Sequence, residues 1–191
     1  MKTIVFAVLA ALPFSVLGQQ NAQRVSFPDN GIYRSASDFA AHTLTDGFDT
    51  GQPGYRLKNE VFEPVVKVDE PNQQEVKLSM ATLWGERKLG VDYRIVDGQL
   101  YRVEHADRVI IYSLPANTIT GAGWNTYYFS RELNSPIYLI TAKHLSEVYY
   151  DQPAKLTAFD GIDWQNDHPS VRARQLVEAF YKPGVTSQAA E

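Results

Sequence analysis

The sequence predicts an α+β fold: a single domain whose antiparallel β-sheet, with a central hairpin at residues 90–114, is covered by short helices mostly from the C-terminal part. Three observations carry that prediction. Two alternating runs flank Asp97-Gly98, the strongest short-range hairpin signal. Arg108 to Leu114 is apolar on both parities (Val109, Ile111; Ile110, Tyr112, Leu114), as a strand covered on both sides requires. After Ile140 the apolar spacing changes from alternation to the i, i+3, i+4 rhythm of helices.

The hairpin register can be argued from charge and polarity. A two-residue loop at Asp97-Gly98 sets Tyr93 opposite Arg102 and Val91 opposite Glu104, so neither face is cleanly apolar. A three-residue loop at Val96-Asp97-Gly98 sets Ile95 opposite Gln99, Tyr93 opposite Tyr101 and Val91 opposite Val103. It also pairs Asp92 with Arg102 and puts Gly98 at the left-handed position of a G1 bulge. A shift the other way opposes Arg94 to Arg102 and Asp92 to Glu104, two like-charge clashes. The three-residue loop is the register this reasoning favours.

Ahead of the hairpin, residues 1–18 read as a secretory leader. Lys2 is followed by a brief apolar core from Ile4 to Leu12, then Pro13 and small residues that end at Gly18. Residues 19–30 read as a flexible leader closing on the turn Pro28-Asp29-Asn30-Gly31, so the domain is expected over 31–183. Ser35 is placed to N-cap a helix with Asp38 at its third position, a variant capping box, burying Phe39 and Ala40 before Gly47 ends it. Residues 46–54 read as a turn-rich connector. Tyr55–Asn59, Val61–Val68 and Val76–Leu83 read as strands, and Pro64 argues for an edge position in the second of them.

Beyond the hairpin, 116–126 is a Gly/Asn/Thr loop around Trp124, followed by short strands at Tyr127–Ser130 and Ile137–Ile140. Thr141 caps a helix carrying Leu145, Val148 and Tyr149, and Pro153 opens a second with Leu156 and Phe159. Ser170 is expected to cap a third, bearing Ala173, Leu176, Val177 and Phe180 and stopped by Pro183-Gly184. Residues 184–191 are expected to be a disordered tail.

Composition narrows the function classes. The chain has no cysteine, which excludes disulfides, a thiol nucleophile, thiolate metal ligands and an acylated N-terminal cysteine. Its net charge is -4 and its Lys and Arg are scattered, so neither nucleic acid nor an anionic membrane surface is an expected partner. No apolar run reaches the roughly 20 residues of a transmembrane helix.

Motifs with catalytic or ligating spacing are missing. His42, His105, His144 and His168 form no H-E-x-x-H and no i, i+4 pair. The acidic stretch from Asp160 to Asp167 fails as a calcium loop, because a loop begun at Asp163 has His168 for the glycine and Arg174 for the bidentate glutamate. Glu60, Glu63, Asp69 and Glu70 could serve a glycosidase only if folding brought two together. Gly121-Ala122-Gly123 lacks the following Lys-Ser/Thr of a phosphate loop, and no G-x-S-x-G occurs. No catalytic residue, metal or cofactor is therefore expected.

Gly31-Ile32-Tyr33-Arg34-Ser35 with Asp38-Phe39, Lys77 with Trp84-Gly85, Tyr127–Ser130 and Ser135–Leu145 form a set with a known look. The set resembles a group of small secreted proteins of unknown function found mainly in Bacteroidota, across roughly residues 31–160. The chain departs from that pattern at Ile140, at Ala142 and in its C-terminal helix. The resemblance implies export and no particular chemistry.

An aromatic excess remains. Eight of the eleven tyrosines fall between Tyr93 and Tyr150. Pleated sheets favour aromatics in any case. The functional expectation is a stacking surface for glycan or peptide built from Trp124, Asn125, Tyr127 and Tyr128 at the edge of a Gly-rich loop. The sequence thus points to a secreted or periplasmic, non-enzymatic binding or accessory module for envelope or extracellular material. A hydrolase with an acid–base pair assembled from distant residues, or a subunit of a surface assembly, are the alternatives.

Overall fold

The computed structural model describes residues 27–49, 56–59, 65–69, 74–115 and 125–182. The expected secretory leader, the loop around Trp124 and the expected tail lie outside the described residues.

Eight strands form one antiparallel sheet. In chain order they are β1 (Asn30–Tyr33), β2 (Thr45–Phe48), β6 (Gly85–Lys88), β7 (Val91–Val96), β8 (Gln99–Ala106), β9 (Ile110–Leu114), β10 (Thr126–Ser130) and β11 (Tyr138–Leu139). In space the order is β11-β10-β9-β8-β7-β6-β1-β2, a meander extended at one side by the N-terminal pair. The remaining strands, β3 (Arg56–Asn59), β4 (Val65–Asp69) and β5 (Glu75–Ser79), make a separate three-stranded antiparallel sheet. Among the described residues are the α-helices α1 (Ala36–Ala40), α2 (Ala142–Val148), α3 (Pro153–Phe159) and α4 (Pro169–Phe180), with a 3-10 turn at Met80–Thr82.

The hairpin register is the one that sequence reasoning set aside. Val96 pairs with Gln99, Ile95 with Leu100, Arg94 with Tyr101 and Tyr93 with Arg102, so the loop is Asp97-Gly98 alone. Both loop residues are left-handed, with φ of 51° and 73°, as a type I′ turn requires. The test for a cleanly apolar face was the wrong one, because this sheet is covered on both faces. One face carries Ile95 and Leu100, which join Ile32, Phe48, Val66, Val68, Met80 and Leu83 in a core under the small sheet. The other carries Arg94, buried beneath Trp84 and Tyr112 with its guanidinium 5.8 and 5.5 Å from their rings.

Arg94 also shows that the sheet curls. Neighbouring strands lie about 4.8 Å apart, so β7 and β10 would stand about 14 Å apart in a flat sheet, too far for an arginine to meet a serine. Yet Arg94 donates to Ser130 Oγ at 3.5 Å, to Tyr112 Oη at 2.9 Å and to the Ser135 carbonyl at 2.9 Å. The Arg94 face is therefore concave, and the loop after β10 closes over it. Trp84 Nε1 holds that loop through the Leu133 carbonyl at 3.0 Å. Tyr33, Ala36, Phe39 and Trp84 fill the rest of this face, with Phe39 stacked on Trp84 at 4.5 Å.

The helices cover the opposite face at its β9–β11 end. Ile111 and Phe129 pack there against Leu145, Tyr149, Phe159, Leu176 and Phe180. Local chemistry sets where these helices start. Thr141 Oγ1 accepts from the His144 amide at 3.2 Å, and Pro153 and Pro169 sit in first turns where a missing N–H costs nothing.

Five local expectations need correction. Phe27–Asn30 belong to the fold: Asn30 opens β1 and is buried, and the Pro28 carbonyl accepts from Arg87 Nε at 2.9 Å. The capping box at Ser35 and Asp38 forms, but α1 ends at Ala40, His42 turns left-handed at φ 49°, and Gly47 falls within β2. β4 is the middle strand of its sheet, so the edge position expected for it does not hold. Gly85–Lys88, between the expected strand Val76–Leu83 and the hairpin, is β6. α4 begins at Pro169 with His168 as its cap, which places Ser170 inside the helix.

Tyr149 is fully enclosed and its hydroxyl has no hydrogen-bond partner. Burial pushes its pKa up. An unsatisfied buried hydroxyl costs about 1–3 kcal/mol. Tyr149→Phe is therefore expected to stabilise the protein by about 1 kcal/mol, read as a higher urea midpoint at unchanged slope.

Arg131, just after β10, grips Asp151 in the α2–α3 turn through two hydrogen bonds of 3.0 Å. The Arg131 hydrogen bond holds the Asp151 carboxyl below its ordinary value of 3.8. A depressed carboxyl stabilises the fold above that ordinary value and loses its effect as pH falls through the folded one. Asp151→Asn should thus unfold slightly earlier than wild type at pH 7. The gap between their melting temperatures should close on acidification below about pH 4.

Candidate functional site

The sequence-predicted residues do not make one surface. Trp124 lies outside the described residues, and Asn125 stands exposed at the entry to β10. Tyr127 and Tyr128 are consecutive on a strand and point to opposite faces. Tyr128 belongs to the concave face, edge-on to Tyr101 at 5.2 Å, and Tyr101 in turn meets Tyr112 at 6.4 Å. Tyr127 faces the helices and packs against their core.

Tyr127 lines a cleft of about 230 Å³ where β10, β11 and the first turns of α2 and α4 converge. Its backbone is fixed there, because its carbonyl accepts from the Ile140 amide at 3.2 Å. Ile140 and Leu139 supply aliphatic wall, Thr126 and Thr141 supply hydroxyls, and Pro169 closes the α4 side. Thr141 already caps α2 as an acceptor, so its own proton remains available to donate.

The one charged side chain in the lining is Arg172, in the first turn of α4. It is half-buried, and its Nε is sealed from solvent with no hydrogen-bond partner. Sequence reasoning missed it, since one more arginine on a helix beside Arg174 carries no signal of its own. The deeper polar centre, Arg94, was missed for the same reason. Arg94 is satisfied by three neutral oxygens and is closed over by the Ser135 loop.

Acid–base chemistry finds little to work with. Among the clefts formed by described residues, one brings His42 and Asp107 to the same wall, and the Tyr127 cleft holds neither a carboxylate nor a histidine. Asp92 is held by Arg87 at 2.8 Å and by the Tyr33 hydroxyl at 2.8 Å; burial, then Asp92, push that hydroxyl's pKa up. Glu104 accepts from Ser113 at 2.6 Å. His42 packs on Phe27 at 5.7 Å, His105 on Tyr181 at 6.2 Å, and His144 Nδ1 lies 2.9 Å from the Leu139 carbonyl. In the Asp163 stretch, Asp163 Oδ1 and Asn166 Oδ1 accept from backbone amides two residues on, closing local turns. Among the described residues no cluster of three or more His, Asp or Glu could hold a metal ion.

No family model, curated protein or solved structure matches the chain. Its function must be read from the cleft itself. No helix among the described residues is long and apolar enough to cross a membrane.

Proposed function

We propose that this protein is an exported, non-catalytic binding module for envelope or extracellular material, and that it seats one ring of a glycan against Tyr127; its resemblance to small secreted Bacteroidota proteins supports export alone. The lining of the cleft carries this reading. An aromatic, two aliphatic side chains and two threonines can hold and orient a ring, and the lining holds no carboxylate or histidine beside it. An extended peptide finds less support, since the adjoining edge strand β11 has two residues and His144 takes its Leu139 carbonyl.

The test is a thermal-shift screen of the full chain against oligosaccharides and peptides. A glycan should raise the melting temperature, and Tyr127→Ala should remove that shift while leaving the fold intact. Turnover of any glycan or peptide, abolished by a single Asp, Glu or His substitution, would overturn the reading.

A further inference from the structure

We infer that the ring taken by the Tyr127 cleft carries a carboxylate, so that the ligand is a uronic-acid unit of an acidic glycan and Arg172 reads its charge; this rests on the binding role proposed above. Of the other arginines with described side chains, Arg34 is exposed to water and the rest are paired. Arg87 holds Asp92 at 2.8 Å, Arg131 holds Asp151 at 3.0 Å, and Arg102 and Arg174 lie 3.6 and 3.7 Å from Glu104 and Glu178. Arg108 donates to the Phe180 carbonyl at 3.2 Å, and buried Arg94 has its three neutral acceptors. Arg172 has a covered Nε with no acceptor, and it lines an open cleft.

Its position is also electrostatically uphill. The first turn of a helix carries partial positive charge, so a cation there is disfavoured and an anion favoured. α4 has no acidic residue in that turn to offset it. A half-buried guanidinium without an acceptor costs free energy; the Nε is sealed from solvent, so a carboxylate in the cleft would meet the terminal nitrogens. The planar fork of Arg matches a carboxylate, and the rest of the lining suits the ring that bears it. A phosphate would want more donors than Thr126 and Thr141 provide. The cleft's size admits one ring and little more.

The deciding experiment titrates the full chain with trigalacturonate, with its neutral counterpart trigalactose, and with a short peptide bearing a free C-terminal carboxylate. Trigalacturonate should bind, trigalactose at least ten times more weakly, and Arg172→Gln should erase that difference at unchanged melting temperature. Arg172→Lys, which keeps the charge and loses the fork, should fall between them, and it decides the matter if Arg172→Gln folds poorly. Equal binding of the acidic and neutral sugars, both lost in Tyr127→Ala, overturns the carboxylate inference and leaves the binding role standing. Preference for the peptide, abolished by amidating its C-terminus, overturns the assignment to a sugar. Failure of every sugar and peptide to bind overturns both.

Discussion

Gly85→Ala is expected to prevent stable folding, or to cost more than about 3 kcal/mol if the protein survives it. Gly85 pairs with Arg94 across the β6–β7 ladder. A methyl group there would lie 2.2 Å from the Tyr93 carbonyl oxygen and 3.3 Å from the Arg94 Cα, both backbone atoms of the partner strand. Side chains can swing away from such a clash; a strand held in register on both sides cannot. Relief would require β6 and β7 to separate, which also drags Arg94 from beneath Trp84. Urea denaturation followed by tryptophan fluorescence measures it. A midpoint within 0.5 M of wild type would mean the two strands do not lie this close.

Phe180→Ala should cost about 3–5 kcal/mol, the range for emptying a buried phenylalanine site. Phe180 is 1% exposed and closes α4 against Tyr149 and Phe159, with ring centroids at 5.5 and 5.6 Å. Lys155 also lays its ammonium 4.9 Å from the Phe180 ring and 5.1 Å from that of Tyr149. The residues share one cluster, so their effects should not add. A double-mutant cycle of Phe180→Ala with Phe159→Leu should return a coupling of about 0.5–3 kcal/mol, and strict additivity would contradict the packing described.

The parts of this fold set by neighbouring residues were legible in the sequence. The Ser35–Asp38 capping box, the Thr141 cap, the Pro153 helix start and the doubly covered run through Ile110 and Tyr112 are such cases. What escaped depends on distant contacts. The hairpin register turns on Arg94, whose burial is decided by Ser130 and Ser135, more than thirty residues downstream. Strand patterns at Val66, Val68 and Leu78 reveal alternation, yet nothing in them says that β3–β5 would leave the main sheet and lie over it. For the proposed cleft, Tyr127 was singled out by its residue type, while Arg172 joins the lining only because the fold carries α4 to the β10–β11 corner. Tyr128 was a different error. The period of two along a strand already places it on the far side from Tyr127.

The place of β1 in the sheet bears on how the molecule assembles. Its inner neighbour is β6, more than fifty residues later in the chain, whereas β6 through β9 each pair with the strand that follows. A chain made from its N-terminus completes β1 long before β6 exists, so the opening strand has only its near neighbour β2 to pair with until then. Docking of the β1–β2 pair on β6 brings Tyr33 onto Asp92, so that contact is expected to form late in assembly.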